Sequence, residues 1–156
     1  MTDAPSTTGG EATITRVFDA PRDLLWKYFT EPELFASWFG TPPYTTPAST
    51  VSMDVRPGGA WRATMVHETD GSELPFRGTF QEVVAPERLV QTFEDVNDPS
   101  NPSVEVLTTT LTDVGGGKTE ATYRQVGHMP EEQYRRVEEG VSGFYDRLAE
   151  QLVQYD

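Results

Sequence analysis

Apolar and polar residues alternate along much of this 156-residue chain, as they do in the strands of an antiparallel sheet. Residues 12–19 alternate around Ile14 and Phe18 and predict a first strand. Between Thr50 and Val126, strand-like segments are separated by turns rich in Gly, Pro and Asn. These segments predict six further strands, near residues 50–55, 60–68, 73–84, 88–95, 103–113 and 118–126. Because such short turns join antiparallel neighbours, the sequence predicts a seven-stranded antiparallel sheet.

Three helices are predicted around this sheet. Pro21 opens a first short helix. Thr30 and Glu33 form a capping-box pair for a second short helix, which ends at Gly40. A loop then runs to about residue 48. A third helix of roughly 25 residues follows. Its apolar face recurs at intervals of three and four residues: Tyr134, Val137, Val141, Tyr145, Leu148 and Leu152. Because only the sheet is large enough to cover that face, the predicted fold class is α+β.

The ends and the turns define the predicted domain organisation. Residues 1–10 are small and polar and predict a disordered tail, whereas residues 11–156 predict a single domain. A turn is predicted at residues 97–102, between the fifth and sixth strands. The chain has no signal-peptide pattern and no apolar run long enough for a membrane span, so a cytoplasmic location is expected.

The amino-acid composition excludes several classes of function. The chain carries 25 acidic and 12 basic side chains, a net charge of −13, and no cysteine. Without cysteine, disulfides, thiolate catalysis and cysteine-ligated metal sites are excluded. The acidic excess argues against binding to nucleic-acid phosphates and to anionic membrane surfaces. We therefore expect neither nucleic acid nor membrane as a partner, while the sequence leaves a homodimer open.

Motifs for cofactor or metal chemistry are incomplete in this chain. The run from Gly115 to Thr119 looks like a phosphate-binding loop, but Thr112 occupies a required glycine position and the run leads into a strand, so a hairpin turn is predicted. Only two histidines exist, His67 and His128, which disfavours a multi-histidine metal site. No carboxylates are spaced for paired acid–base work. We expect no metal, no cofactor and no recognisable catalytic set.

Four sequence blocks, in order, resemble the homologues of the activator of the heat-shock chaperone ATPase, a family of the START-like (SRPBCC) superfamily. The blocks are Phe18-Asp19-Ala20-Pro21 with Trp26, Phe29-Thr30-Glu31-Pro32 and Trp38-Phe39-Gly40; Asp54-Val55-Arg56-Pro57-Gly58-Gly59; Gly78-Thr79-Phe80-Gln81-Glu82-Val83 with Pro86-Glu87-Arg88-Leu89; and Gly140 with Asp146-Arg147-Leu148. The resemblance covers about residues 12–154. It implies a helix-grip fold, in which the sheet wraps around the long C-terminal helix and two short helices follow the first strand.

The resemblance also implies an apolar cavity between the sheet and the long helix. Family members often carry tryptophan directly after the glycine of the last helix, where this chain has Val141. If Val141 faces the sheet, the smaller side chain leaves more empty volume. The fold and the cavity are therefore what this family leads us to expect.

Strand alternation selects the residues that would face such a cavity. Trp61, Met65 and His67 share one face of the strand at 60–68. With the inward positions of the other strands and the long helix, they give the full set of candidates: Met53, Trp61, Met65, His67, Phe76, Phe80, Phe93, Tyr123, Val141, Phe144, Tyr145 and Leu148. His67 reads either as a polar handle for a ligand or a proton, or as a strand-end residue touching solvent. Trp26 and Trp38 are predicted to be packing residues.

Three functions follow as hypotheses. The first is a binding protein that holds a small apolar or aromatic ligand in the cavity. The second is an enzyme that uses the same cavity, by analogy with superfamily members that act as aromatase/cyclases or hydrolases, with Tyr123 and His67 as its polar groups. The third is a stress-response co-chaperone that stimulates a chaperone ATPase through the outer sheet face.

Overall fold

A curled antiparallel sheet is the largest element of the structure, a computed structural model that describes residues 10–40, 42–95 and 104–155. The predicted tail, except Gly10, and the predicted turn at 97–102 lie outside these ranges. The strands are β1 (Glu11–Phe18), β2 (Tyr44–Thr45), β3 (Ser52–Met53), β4 (Ala60–His67), β5 (Glu73–Val84), β6 (Arg88–Asp95), β7 (Glu105–Gly115) and β8 (Lys118–Val126). They pair in the order β1-β8-β7-β6-β5-β4-β2, with β3 also paired to β4, and every pairing is antiparallel.

The three helices lie where the sequence predicts them, but the second ends at Ala36 and not at Gly40. The two short ones are α1 (Arg22–Thr30) and α2 (Pro32–Ala36), directly after β1, and the long one is α3 (Glu131–Tyr155). A strand, two short helices, a curled antiparallel sheet and a long C-terminal helix make up the helix-grip fold, so the predicted α+β class is confirmed.

The structure departs from the sequence pattern at the edge of the sheet. The described residues form eight strands rather than seven, because Tyr44 and Thr45 pair with the end of β4 inside the predicted loop. The strand predicted at 50–55 is only Ser52–Met53, preceded by a 3₁₀ turn at Ala48–Thr50. Two-residue pairings are too short to produce an alternating pattern, which is why the sequence does not reveal β2.

The predicted capping box at the second short helix is wrong. Thr30 is the last residue of α1, and its hydroxyl donates a hydrogen bond back to the Trp26 carbonyl at 2.7 Å. Glu31 precedes α2 instead, and no side chain caps that helix. Pro32 begins α2, where its missing N–H and fixed φ are suited to the first turn.

The long helix is held across the sheet by a buried face and by polar contacts to an edge strand. Tyr145 and Leu148 have no exposed surface and pack in the main core. At the free edge of β1, the Thr13 N–H donates to the Glu138 carboxylate at 3.0 Å, and Arg135 donates to the Glu11 carbonyl at 2.8 Å. These contacts fix α3 over the concave face of the sheet.

Candidate functional site

A pocket of about 290 Å³ lies between the sheet and the first part of α3. Its wall comes from the inward faces of β4 to β8, from the two short helices, and from α3 between Gln133 and Tyr145. Ten of the lining side chains are aromatic: Phe29, Phe35, Trp38, Phe39, Trp61, Phe76, Phe93, Tyr123, Phe144 and Tyr145. This volume is near the lower end of the roughly 300–1,000 Å³ of small-molecule sites.

Eight of the twelve side chains predicted to face a cavity line this pocket: Trp61, Met65, Phe76, Phe93, Tyr123, Val141, Phe144 and Tyr145. Strand alternation finds the five that lie on strands, because inward positions on neighbouring strands converge on one concave face, and helical spacing finds the three on α3. Val141 is 7% exposed and contributes to the wall. The position at which family members often carry tryptophan therefore faces the pocket in this chain.

Two further candidates, Phe80 and Leu148, face inward but do not line the pocket. Phe80 is 1% exposed and Leu148 is fully buried, and both belong to the main core cluster. Neither side chain is part of the pocket lining, which on the sheet includes Gln91, Thr109 and Tyr123. Alternation alone therefore predicts which face is inward but not where the space lies.

Met53 and His67 also lie away from the pocket lining, near the short edge strands. Met53 pairs with Trp61 from the two-residue strand β3 and packs against the core from there. His67 is opposite Tyr44, whose ring meets the imidazole edge-on with 5.1 Å between centroids. The His67 Nδ1 accepts a hydrogen bond from the Thr69 N–H at 3.1 Å. His67 is thus a strand-end residue held against the β4–β5 turn, one of the two alternatives that the sequence leaves open.

The second short helix, α2, and the turn that follows it supply pocket residues that sequence reasoning missed. Phe35 and Phe39 stack with 4.6 Å between ring centroids, and Phe39 meets Phe144 of α3 edge-on at 5.3 Å. Trp38 was expected only to pack, yet it is 4% exposed and lines the pocket, with its indole N–H donating to the Tyr28 carbonyl at 2.8 Å. The helical spacing shows that these residues are buried, but not that they close one side of a cavity.

The opposite wall holds a buried polar network centred on Glu105. This side chain is 2% exposed, and its Oε1 accepts hydrogen bonds from Gln125 Nε2 at 3.0 Å and from the Tyr134 hydroxyl at 2.9 Å. Its Oε2 accepts from the His128 N–H at 3.3 Å. Gly127 provides the room, because a Cβ atom built at that position would overlap the carboxylate oxygens. Sequence reasoning missed Glu105, because the alternation within one strand cannot show that an inward carboxylate receives hydrogen bonds from other elements.

Tyr123 is oriented by the same network. Its hydroxyl donates to Gln125 Oε1 at 2.6 Å, while the Gln125 amide nitrogen donates to Glu105. Burial raises the pKa of Tyr123 well above its ordinary value, and the neighbouring Tyr145 and Glu105 raise it further. Tyr123 therefore remains protonated, with its proton directed to Gln125.

Tyr145 is different, because its buried hydroxyl has no hydrogen-bond partner among the described residues. The ring packs against Phe18, Phe29 and Trp38. Burial raises the pKa of Tyr145 above its ordinary value. An unpaired buried hydroxyl costs on the order of 1–3 kcal/mol. No contact among the described residues compensates for burying this hydroxyl in the pocket wall.

Within the described residues, no group of three His, Asp or Glu side chains is placed to hold a metal ion. The helices of the described ranges likewise include none that is long and apolar enough to cross a membrane.

Comparison with known proteins relates this fold to one family. The family model described as Activator of Hsp90 ATPase homolog 1-like protein matches residues 19–153. A solved structure from Nitrosomonas europaea is 29% identical, with a TM-score of 0.76, and the match covers 93% of this chain and 95% of that chain. One from Chromobacterium violaceum is 25% identical, with a TM-score of 0.78 and coverage of 90% and 95%. The AHSA1 protein from Silicibacter pomeroyi, 18% identical with a TM-score of 0.82, shares the fold over 94% of this chain and 100% of that chain. No curated protein sequence matches the chain.

Proposed function

Since the chain belongs to the activator of Hsp90 ATPase homolog 1-like family, we propose that it is a small-molecule binding protein that holds an apolar or aromatic ligand between the sheet and α3. The observation that carries this proposal is the pocket of about 290 Å³ with ten aromatic side chains in its wall. A solid core would leave no such volume. The ligand would contact mainly ring faces and edges, with polar contacts available from side chains such as Gln91, Glu105 and Gln125.

The expected affinity follows from the area that such a pocket can bury. An aromatic group the size of a large side chain buries about 150–250 Å², which at about 25 cal/mol per Å² contributes roughly 4–6 kcal/mol. That range corresponds to dissociation constants from about 1 mM down to tens of micromolar. The pocket can therefore hold a simple aromatic probe weakly, and a fully complementary ligand would bind more tightly.

Because Val141 lines the pocket, a substitution there tests directly whether a ligand binds inside it. A Val141→Trp substitution would place an indole where the pocket now opens, since Val141 lines it. The matched control is Val153→Trp on the same helix, because Val153 is 76% exposed. The two variants add the same side chain, but only the first takes up pocket volume.

The experiment is a fluorescence titration with N-phenyl-1-naphthylamine, an uncharged aromatic probe. We expect the wild type and Val153→Trp to bind it with similar affinity, and Val141→Trp to bind it at least about tenfold more weakly. Circular dichroism confirms that both variants are folded. If the wild type and a panel of aromatic and fatty compounds show no binding, or if Val141→Trp binds as well as the wild type, the proposal is wrong.

The enzyme alternative has less support from the geometry. It needed Tyr123 and His67 at one reacting group, and His67 is held in the β4–β5 turn outside the pocket lining. The Tyr123 proton is directed to Gln125 at 2.6 Å. Neither group is then arranged to donate to a reacting carbonyl.

The family description itself favours a second candidate, stimulation of a chaperone ATPase. We place such an interaction on the outer sheet face, away from the pocket. It predicts that the purified protein raises the ATPase rate of a chaperone of this class and that Val141→Trp leaves the stimulation unchanged. An unchanged chaperone rate in the presence of the wild type would discard this candidate, without bearing on ligand binding.

A further inference from the structure

The pocket wall contains a buried carboxylate that no cation among the described residues neutralises. Two acidic side chains line the pocket, Glu94 and Glu105. Glu94 is paired with Arg77, whose Nε and Nη2 both lie 3.1 Å from its Oε1. Glu105, in contrast, has only neutral donors among the described residues.

Among the described residues, no basic side chain forms an ion pair with Glu105. The described pocket lining contains no Lys, Arg or His. The segments outside the described ranges contain none of these residue types in their sequence either. A buried charge without a counter-charge is costly, and acidic side chains are almost never fully buried unless they are paired. Within the described residues the Glu105 carboxylate therefore has no counter-charge, and a cation carried by a ligand would supply one.

The neighbouring groups also favour a ligand that donates hydrogen bonds. Because the Tyr123 proton goes to Gln125 Oε1, Tyr123 has only lone pairs left for a further partner. Tyr145 has an unpartnered hydroxyl in the same wall, and its oxygen can accept as well. An ammonium group has three donors and no acceptor, which matches one carboxylate and two phenolic oxygens. Aromatic side chains around the rest of the wall are suited to a cation as well as to an apolar body.

We propose that the pocket binds a protonated amine carried on an apolar or aromatic body, and that Glu105 is the specificity-determining residue that receives its ammonium group. This inference rests on the proposed small-molecule binding function and names the charge class of the ligand. It also means that the pocket discriminates against carboxylates such as fatty acids, because they would place a second negative charge beside Glu105.

The test uses three probes with one naphthalene body and different charge: 2-naphthylmethylamine, 2-naphthylmethanol and 2-naphthoate. Their affinities are measured by titration calorimetry at neutral pH. For the wild type we expect the amine to bind about 10- to 100-fold more tightly than the alcohol, the range for a hydrogen bond to a charged group, and the carboxylate to bind most weakly. In Glu105→Gln the preference for the amine should fall to within about threefold.

Glu94→Gln removes the other carboxylate of the wall, the one that Arg77 already neutralises, and shows whether that carboxylate contributes to the preference. Glu139→Gln, which removes an exposed carboxylate of α3 outside the pocket lining, is the matched control and should retain the wild-type preference for the amine. If Glu105→Gln does not fold, Glu94→Gln still tests the assignment. A preference for the amine that survives Glu94→Gln must then come from Glu105, the other acidic side chain of the described lining. A purely structural role for Glu105 would change stability without changing the ratio of affinities.

The outcomes separate the two proposals. If the alcohol and the uncharged fluorescent probe bind but the amine shows no preference, or if the preference is unchanged in Glu105→Gln, the amine inference is wrong while ligand binding stands. The same holds if the carboxylate binds most tightly. If no probe binds the wild type, the proposed function fails and the amine inference fails with it.

Discussion

Gly127→Ala should destabilise the protein strongly, because the added methyl group meets the buried carboxylate of Glu105. A Cβ atom at this position would overlap both carboxylate oxygens. The φ of Gly127 lies outside the left-handed region, so alanine itself imposes no backbone strain there. The cost is therefore one of space: Glu105 must move, or the turn that follows β8 must.

The magnitude follows from what the carboxylate would lose. It accepts three hydrogen bonds, from Gln125, Tyr134 and the His128 N–H. Hydrogen bonds to charged groups contribute about 1.5–3 kcal/mol each, and partial relaxation recovers some of the loss. We expect Gly127→Ala to lower the free energy of unfolding by about 3–5 kcal/mol, as measured for other broken buried charge contacts. This is a large fraction of the roughly 5–15 kcal/mol of a typical domain.

The assay is urea unfolding followed by tryptophan fluorescence and circular dichroism, as a double-mutant cycle with Glu105→Ala. In the Glu105→Ala background the same Gly127→Ala change should cost less than about 1 kcal/mol, since no carboxylate remains to be displaced. Gly140→Ala is the control: nothing lies within 4 Å of its added Cβ, and helix propensity favours alanine by about 0.5–1 kcal/mol. An equal cost of Gly127→Ala in both backgrounds would refute the steric argument.

Three further predictions concern the tyrosines and the edge strand. Tyr145→Phe should leave the free energy of unfolding unchanged or raise it by up to about 3 kcal/mol, because the lost hydroxyl has no described partner; a decrease measured by urea unfolding would contradict this. Burial, together with Glu105, raises the pKa of Tyr134 to about 12, above the unfolded value of 10.0. The neutral form of Tyr134 therefore stabilises the fold below pH 10, and this contribution is lost as the pH rises through about 12. Urea midpoints on either side of pH 10 should show that fall, and Tyr134→Phe should reduce it; an identical pH dependence would argue against the assignment. Glu138→Ala removes the acceptor of the Thr13 N–H at the free edge of β1 and should increase self-association in analytical ultracentrifugation; a sedimentation profile like the wild type's would show that this edge is protected otherwise.

The fold was predictable because its signals are local and repeated. Alternation along β4 to β8 and the spacing of three and four in α3 each extend over eight or more residues, so no single substitution obscures them. The edge pairings escaped because β2 and β3 are two residues long and depend on the neighbouring strand rather than on their own pattern. The capping box failed because the Thr30 hydroxyl is taken by the Trp26 carbonyl within the preceding helix.

The pocket was only partly predictable, for a different reason. Inward-facing residues can be read from the sequence, but whether they enclose space depends on how α2 and α3 sit on the sheet. Phe80 and Leu148 meet other core side chains, whereas Phe93 and Val141 face the pocket, although the pattern treats all four alike. The role of Glu105 is a tertiary property, because its donors come from β8, from the following turn and from α3.

The most direct test of ligand binding in this pocket uses the indole N–H signals of the three tryptophans in a two-dimensional NMR spectrum. Trp38 and Trp61 line the pocket, and their indole N–H groups donate to the carbonyls of Tyr28 and Thr92, whereas Trp26 is not part of the lining. On titration with N-phenyl-1-naphthylamine, the Trp38 and Trp61 signals should shift in a saturable way while that of Trp26 stays in place. Saturable binding with both signals unmoved, or with the largest shift at Trp26, would place the ligand elsewhere and contradict the account.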